Sequence, residues 1–198
     1  VSAVLTDMDE PLGLTIGNSL EVKEAIATLK GEGPKDFTEL TRLCSAKILL
    51  SSGLVSSIDE GLEKADAFVK DGSALKKLAA MVKAQEGDES YILDPSKFPI
   101  SKHIVEIKAK KDGYICKIDT MAIGLGAMKL GAGRETMTDI IDPSAGIVLV
   151  KKAGDKVKEG DILAYAHTNK ENVQSVFEEI EGCFHMVGTP LPLKPIVL

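Results

Sequence analysis

The chain has 198 residues, of which 44% are hydrophobic and 27% charged, proportions that exclude a disordered or fibrous protein. Its formal net charge is -6, and its lysine pairs at 76–77, 110–111 and 151–152 are scattered among carboxylates. We therefore predict solvated lysines and no nucleic-acid partner. Because no apolar run reaches membrane-spanning length and no basic-then-apolar leader is present, we expect a cytoplasmic protein without a membrane partner.

The amino-terminal segment predicts a strand, a turn and a capped helix. Residues 2–6 are β-prone, and Pro11 and Gly13 end the strand. Asn18 precedes Glu21 by three residues, a spacing that predicts a side-chain cap accepting amides of the first turn. The chain opens inside this strand pattern without an initiator Met, which indicates a piece cut from a longer protein.

Residues 18–84 predict four consecutive amphipathic helices, joined by short Gly-bearing connections that let neighbouring helices fold back on each other. Residues 85–102 are polar and broken by Gly and Pro, which indicates an irregular linker. After the linker the apolar period changes from 3.6 to 2. Residues 103–110 and 114–119 alternate around Asp112-Gly113, which predicts a β-hairpin.

The remaining sequence predicts a small β-rich unit that carries helices. A helix is expected over residues 121–130, and two short strands joined by paired Gly-Asp turns are expected within residues 146–167. A second helix should cover about residues 170–180, and the prolines at 190, 192 and 195 predict an extended tail. Together with the amino-terminal helices, these elements predict an α+β fold.

The cysteines and histidines are dispersed. Cys44, Cys116 and Cys183 have no C-x-x-C spacing, which predicts reduced thiols and no disulfide framework. None of the three histidines has a Cys, His or carboxylate at a ligand-like spacing nearby. We therefore assign no metal-binding or catalytic histidine.

Gly124-Leu-Gly126-Ala-Met-Lys129 has the outline of a Gly-rich phosphate loop. A dinucleotide-binding loop follows a strand and opens a βαβ unit, whereas here no parallel strand follows at the required distance. The third position of the motif is also Lys129 and not Gly. We therefore predict that these glycines permit close helix packing.

Ala127-Met-Lys-Leu130 resembles the biotin attachment sequence A-M-K-M, and the Gly-Asp pattern that ends at Leu163 resembles half of a biotinyl or lipoyl carrier domain. An attachment lysine needs an exposed hairpin tip, because a modifying enzyme must reach it. The flanking residues instead predict a packed helix and its end. A carrier or a non-catalytic interaction module is thus kept as the alternative function.

The segment from Asp7 to Glu24 contains D-M-D-E-P-L-G followed by G-N-S-L-E-V-K-E. It resembles the stretch after the nucleoside-binding region of pyrimidine-nucleoside phosphorylases and thymidine phosphorylases, which reads D-M-x-Q-P-L-G and then G-N-A-L-E-V-K-E-A. Glu10 stands for the usual Gln, and Thr15 and Ser19 stand for smaller residues. Residues 112–161 also resemble the carboxyl-terminal subdomain of this family in order and spacing.

This resemblance implies a division of the chain. Residues 1–84 would be a strand and four helices from the end of the family's α/β domain, and residues 85–102 would be a linker. Residues 103–198 would form the β-rich carboxyl-terminal subdomain, which in the family has a lipoyl-like barrel-sandwich topology without a carrier lysine.

The resemblance also implies the chemistry of the parent enzyme. Members of the family cleave uridine or thymidine with inorganic phosphate, which gives the free base and the pentose 1-phosphate in nucleoside salvage. Their phosphate and base contacts lie in a part that precedes Val1, so we assign no catalytic or substrate-binding residue and expect the chain alone to be inactive. We expect a homodimer for the parent and a monomer for the chain, because the family's dimer is built largely by a preceding helical domain.

One family site is implied within the chain. Bacterial members hold a potassium-like cation with two backbone carbonyls of the P-L-G turn and a Glu of the next helix, and by position these are Leu12, Thr15 and Glu24. Oxygen ligands of this kind suit a hard cation. The alternative is that Glu24 is a solvated helix residue with no ion.

Overall fold

The computed structural model describes residues 3–192 and 194–197, and the chain divides into two compact units. The helical unit comprises Val1–Thr6, Lys23–Phe98 and Ile196–Leu198, and the β-rich unit comprises Asp7–Val22 and Pro99–Pro195. The segment 7–22, which the sequence placed with the helices, thus belongs to the β-rich unit. Helices and antiparallel sheets are both present, and the predicted α+β class is confirmed.

The α-helices of the described residues are α1 (Asn18–Leu29), α2 (Lys35–Ser51), α3 (Ile58–Lys70), α4 (Ser73–Ala84), α5 (Ser90–Leu93), α6 (Thr120–Ala127) and α7 (Gln174–Gly182). The strands are β1 (Thr15–Gly17), β2 (His103–Lys108), β3 (Gly113–Ile118), β4 (Gly146–Leu149), β5 (Lys156–Val157), β6 (Ile162–Thr168) and β7 (Phe184–Val187). Two further helical turns are a 3-10 turn at Pro95–Lys97 and a π-helical turn at Met128–Ala132. None of these helices is long and apolar enough to cross a membrane.

The four helices predicted over residues 18–84 are confirmed as α1 to α4. The hydroxyl of Ser57 accepts a hydrogen bond from the backbone N–H of Glu60 at 3.2 Å, which caps the start of α3. Gly61 of α3 lies against α2, where a Cβ atom would stand 2.9 Å from the Cα of Ala46. The segment 85–102 contains α5, whose Ile92 is buried in the helical core.

The β-rich unit is built from two antiparallel sheets. One has the strand order β1-β4-β6-β2, and the other has the order β5-β3-β7. Both sheets, together with α6 and α7, contribute to one hydrophobic core, because alternate residues of each strand point inward. Its large buried side chains include Ile107, Ile115, Ile118, Ile123, Leu130, Ile147, Leu149, Leu163, Ile180 and Phe184.

The predicted hairpin around Asp112-Gly113 is wrong. Strand β2 pairs with β6, so that His103 lies opposite Thr168, whereas β3 pairs with β5 and β7 in the other sheet. The backbone N–H of Ala109 donates to Asp161, which ties the end of β2 to the start of β6. The segment between β2 and β3 therefore carries the chain from one sheet to the other.

Other local predictions have mixed outcomes. The expected strand at residues 2–6 is reduced to a single bridge between Thr6 and Val197, and Ser2 lies outside the described residues. Residues 146–167 hold three strands and not two. The extended tail after Pro190 has no helix or strand among its described residues apart from the bridge at Val197, and Leu193 lies outside them. The three cysteines are free thiols, as predicted.

Candidate functional site

The segment from Asp7 to Gly17 forms a turn followed by a short edge strand. The backbone N–H of Asp9 donates to the Asp7 carboxylate at 2.9 Å, and Gly13 adopts a φ of 71° that favours glycine. Strand β1 then pairs with β4, where a Cβ atom on Gly146 would stand 2.3 Å from the carbonyl oxygen of Ile16. The two backbones therefore meet at a distance that only glycine permits, which fixes the turn beside β4.

The start of α1 is fastened to the loop that follows α6. The backbone N–H and the hydroxyl of Ser19 both donate to the carbonyl oxygen of Pro143, at 3.0 and 2.5 Å. The side-chain amide of Asn18 donates to the carbonyl oxygen of Ala132 at 2.8 Å. The predicted capping role of Asn18 is thus corrected: it is Glu21 that caps, accepting from the N–H of Gly17 at 3.0 Å.

Thr15 has a backbone carbonyl that points toward the unpaired edge of the sheet and a side-chain hydroxyl that is buried. The N–H of Leu149 donates to Leu14 at 2.6 Å, which makes these two residues a hydrogen-bonded pair of the β1–β4 ladder. Because such pairs alternate in an antiparallel ladder, the backbone N–H and carbonyl of Thr15, opposite Val148, point away from β4. The Thr15 hydroxyl is the one buried side-chain oxygen or nitrogen in the described residues without a hydrogen-bond partner.

Lys152 places a positive charge against the same turn. Its Nζ lies 2.7 Å from the carbonyl oxygen of Pro11, 3.2 Å from that of Gly13 and 3.5 Å from Oε1 of Glu10. The other carboxylate oxygen of Glu10 accepts from the N–H of Ala153 at 3.1 Å. The side chain of Lys152 is only 17% exposed. The prediction that this lysine belongs to a solvated pair is therefore wrong.

The three predicted cation ligands lie in different elements. Leu12 is exposed in the turn and Thr15 is half-buried in β1, and both belong to the β-rich unit. Glu24 is half-buried in α1 and belongs to the helical unit, where its carbonyl accepts the Thr28 hydroxyl at 2.9 Å. In the described part of the chain, no three His, Cys, Asp or Glu side chains cluster as metal ligands. The potassium site stays a prediction.

A cavity of about 410 Å³ lies beside the turn in the β-rich unit, and its wall includes Glu10, Cys116 and Lys117. At the same wall Asp9 accepts a hydrogen bond from Lys194 at 2.6 Å, and this bond and the lysine charge lower the pKa of Asp9. Both acidic and basic groups thus line the cavity. This mixed charge gives no single preference for an anion or a cation.

The prediction that the glycines of α6 permit close helix packing is confirmed for Gly126 and wrong for Gly124, where an added Cβ would meet no neighbouring element. A Cβ atom on Gly126 would stand 2.9 Å from the side chain of Ile180 on α7. Lys129 lies in the π-helical turn and donates to Glu179 at 2.5 Å. Its position in a helical turn differs from the exposed hairpin tip that a carrier lysine requires.

Two family models match the chain. The first, described as the pyrimidine nucleoside phosphorylase C-terminal domain, covers residues 114–187, and the second, described as the glycosyl transferase family a/b domain, covers residues 1–75. The chain is 43% identical to the pyrimidine-nucleoside phosphorylase of Geobacillus stearothermophilus over 195 residues, which are 98% of this chain and 45% of that protein. The chain belongs to the pyrimidine-nucleoside phosphorylase family.

Further members of the pyrimidine-nucleoside phosphorylase family give similar values. Identity is 44% to the Staphylococcus epidermidis protein over 91% of this chain and 42% of the relative. It is 44% to the Bacillus subtilis protein over 90% of this chain and 41% of the relative. The chain thus spans a little under half the length of these curated relatives. The matches support the family over the biotinyl or lipoyl carrier that the sequence left as an alternative.

Proposed function

We propose that the protein to which this chain belongs catalyses the phosphorolysis of pyrimidine nucleosides. Uridine or thymidine and inorganic phosphate would give the free base and ribose or deoxyribose 1-phosphate, a glycosyl transfer in nucleoside salvage. The observation that carries this proposal is the 43% identity to a curated pyrimidine-nucleoside phosphorylase over 98% of the chain. The glycosyl transferase match over residues 1–75 is in keeping with the same chemistry.

In this proposal the β-rich unit is scaffold and its strands follow the lipoyl-like barrel-sandwich topology of the family. Support comes from its two antiparallel sheets, which bury their inner faces in one shared core. A second supporting feature is the connection from β2 to β3, which passes from one sheet to the other and not back along the same sheet.

Potassium is part of the proposal, with the carbonyls of Leu12 and Thr15 and the carboxylate of Glu24 as its ligands. The chemistry of the turn fits such an ion, because the Thr15 carbonyl faces the open sheet edge and the buried Thr15 hydroxyl has no partner. When bound, the ion would supply a fixed positive charge at the turn. We also propose a homodimeric parent, from the family resemblance, and a cytoplasmic location, which suits the three free cysteines.

The test is an assay of the complete protein with uridine and with thymidine, following release of free base in phosphate and in phosphate-free buffer. We expect phosphate-dependent release from at least one nucleoside, because positive groups that hold phosphate against the anomeric carbon lower the barrier. The 198-residue chain, assayed alongside, should release none. Failure of the complete protein to release base from either nucleoside would overturn the proposed function.

The cation part has its own test in the same assay. Glu24→Gln removes one anionic ligand but keeps side-chain size and helix compatibility, so we expect a weaker potassium response with an almost unchanged fold. Glu63→Gln, an exposed change on α3, is the matched control and should respond to potassium as the unmodified protein does. An unchanged potassium response in Glu24→Gln would remove Glu24 from the site.

A further inference from the structure

The Lys152 ammonium and the turn 10–13 form a compact cation site within the β-rich unit. Two backbone carbonyls, of Pro11 and Gly13, and one carboxylate, of Glu10, converge on Nζ at 2.7, 3.2 and 3.5 Å. Carbonyl oxygens together with a carboxylate are the ligands with which proteins replace the hydration shell of a monovalent cation. The Lys152 ammonium therefore occupies surroundings suited to ammonium or potassium.

The backbone around Lys152 holds the ammonium in place. The N–H of Lys152 donates to the Asp155 carboxylate at 2.9 Å, and the N–H of Asp155 donates back to the carbonyl of Lys152 at 3.1 Å. The Ala153 N–H adds a third anchor through Glu10. Because the lysine stem is covalently attached to this fixed turn, its ammonium binds without the translational entropy cost of a free ion.

We propose that Lys152 is a positioning residue that acts as a built-in monovalent cation: its ammonium orders the turn at Pro11–Gly13 from which the Leu12 carbonyl is presented. The ordering of the turn follows from the contacts alone. Its link to the Leu12 carbonyl as a potassium ligand rests on the proposed function.

The sharpest test compares two variants of the chain that remove the charge differently. Lys152→Ala leaves an oxygen-lined space, whereas Lys152→Met removes the charge but fills the space with a side chain of similar length. Both variants should melt about 3–10 °C lower than the unmodified chain, since charged hydrogen bonds to the turn are lost. Amides of residues 10–16 should exchange with deuterium faster in both.

Rescue by salts separates a cation site from a merely structural lysine. Ammonium or potassium chloride should raise the melting temperature of Lys152→Ala and slow exchange in residues 10–16. Tetramethylammonium chloride at equal concentration should not, because this ion is too large for the space. Lys152→Met should show no selective rescue, and Lys151→Ala, the neighbouring control, should behave as the unmodified chain does.

The proposal is overturned if Lys152→Ala has unmodified exchange and melting, or if ammonium and tetramethylammonium act on it equally. Should Lys152→Ala fail to fold, Lys152→Met decides: faster exchange confined to residues 10–16 supports the role, and unchanged exchange overturns it. Neither readout involves nucleoside turnover, so this inference and the proposed function can fail separately.

Discussion

A Cβ atom on Gly126 would stand 2.9 Å from Cγ1 of Ile180, so this glycine sets how closely α6 and α7 approach. Ile180 is fully buried and cannot move aside without disturbing the core. We expect Gly126→Ala to lower the free energy of unfolding, because overpacking costs about 1–3 kcal/mol. The gain in helix propensity, at most about 1 kcal/mol, offsets only part of that. Urea unfolding measures the difference.

Gly124 on the same helix is the matched control. Apart from the local backbone of its own helix, no atom lies within 4 Å of a Cβ placed there, so Gly124→Ala should leave stability unchanged or raise it by up to about 1 kcal/mol. Equal losses in the two variants would show that helix contact at Gly126 is not the cause.

Thr15 and Thr168 allow a second matched comparison. The buried hydroxyl of Thr15 has no hydrogen-bond partner, whereas the buried hydroxyl of Thr168 has one. Thr15→Val replaces a hydroxyl without a partner by a methyl group and should raise the free energy of unfolding by about 1 kcal/mol. Thr168→Val removes a hydroxyl that donates to Leu130 at 2.7 Å, and should lower it. Denaturant titrations of both variants in sodium buffer measure whether each substitution raises or lowers the free energy of unfolding. Destabilisation by Thr15→Val would mean that its hydroxyl has a partner in solution.

Asp142 should contribute to acid sensitivity. Burial opposes its ionisation, but hydrogen bonds from the hydroxyl and N–H of Ser144 and from Asn169 outweigh burial and lower the pKa of Asp142. A lowered folded-state pKa means that the carboxylate stabilises the fold above the unfolded value of about 3.9, and that this is lost as pH falls through the folded pKa. Asp142→Asn should therefore be less stable than the unmodified chain near neutral pH.

The change of stability at acidic pH tests whether the charge of Asp142 causes this difference. Unfolding curves of Asp142→Asn and the unmodified chain should converge as pH falls below about 3.9. A gap that stays constant across the titration would assign the loss to geometry and not to charge.

Cys183 should resist alkylation in the folded chain. Burial, with smaller contributions from the carboxylates of Asp119 and Glu179, raises the pKa of Cys183 to about 11. Because the thiolate is the reactive form, iodoacetamide near pH 8 should modify Cys183 roughly a hundredfold more slowly than a thiol of ordinary pKa, and more slowly than the less buried Cys44 and Cys116. Peptide mass mapping gives the rates, and in urea the three should become equal. Fast labelling of Cys183 without urea would contradict its burial.

Local signals predicted the helices well. The cap at Ser57 and the Gly and Pro breaks around α2 mark helix ends through interactions a few residues long, which a sequence displays directly. The partner of β2 was not predictable in that way. Asp112-Gly113 is a strong local turn signal, yet β2 pairs with β6, whose Ala164 and Ala166 are fully buried in the core. The packing of β2 and β6 in the core therefore outweighs the local preference of Asp112-Gly113 for a hairpin turn.

The contacts of the candidate site could not be predicted from local sequence signals either. Pro11 and Gly13 were read correctly as a turn, but backbone carbonyls carry no residue-type signature of what they bind. Lys152 is adjacent to Lys151, and such a pair in a sequence indicates two solvated side chains. In the structure the Lys152 ammonium instead contacts the turn at residues 10–13, which is far away in the sequence. Only the folded chain brings the cation and the carbonyls together.

The pairing of β1 with β4 has a consequence for synthesis on the ribosome. β1 emerges before α1 to α6, whereas β4 emerges after all of them. At a translation rate of about 5–20 residues per second, β4 is synthesised on the order of ten seconds after β1. The helices between them make local contacts and can form during that time. We expect nascent chains arrested before Gly146 to be cleaved by protease within residues 9–17 while α2 and α3 already resist. The turn at residues 10–13, which carries the candidate site, would then be among the last parts of the nascent chain to fold.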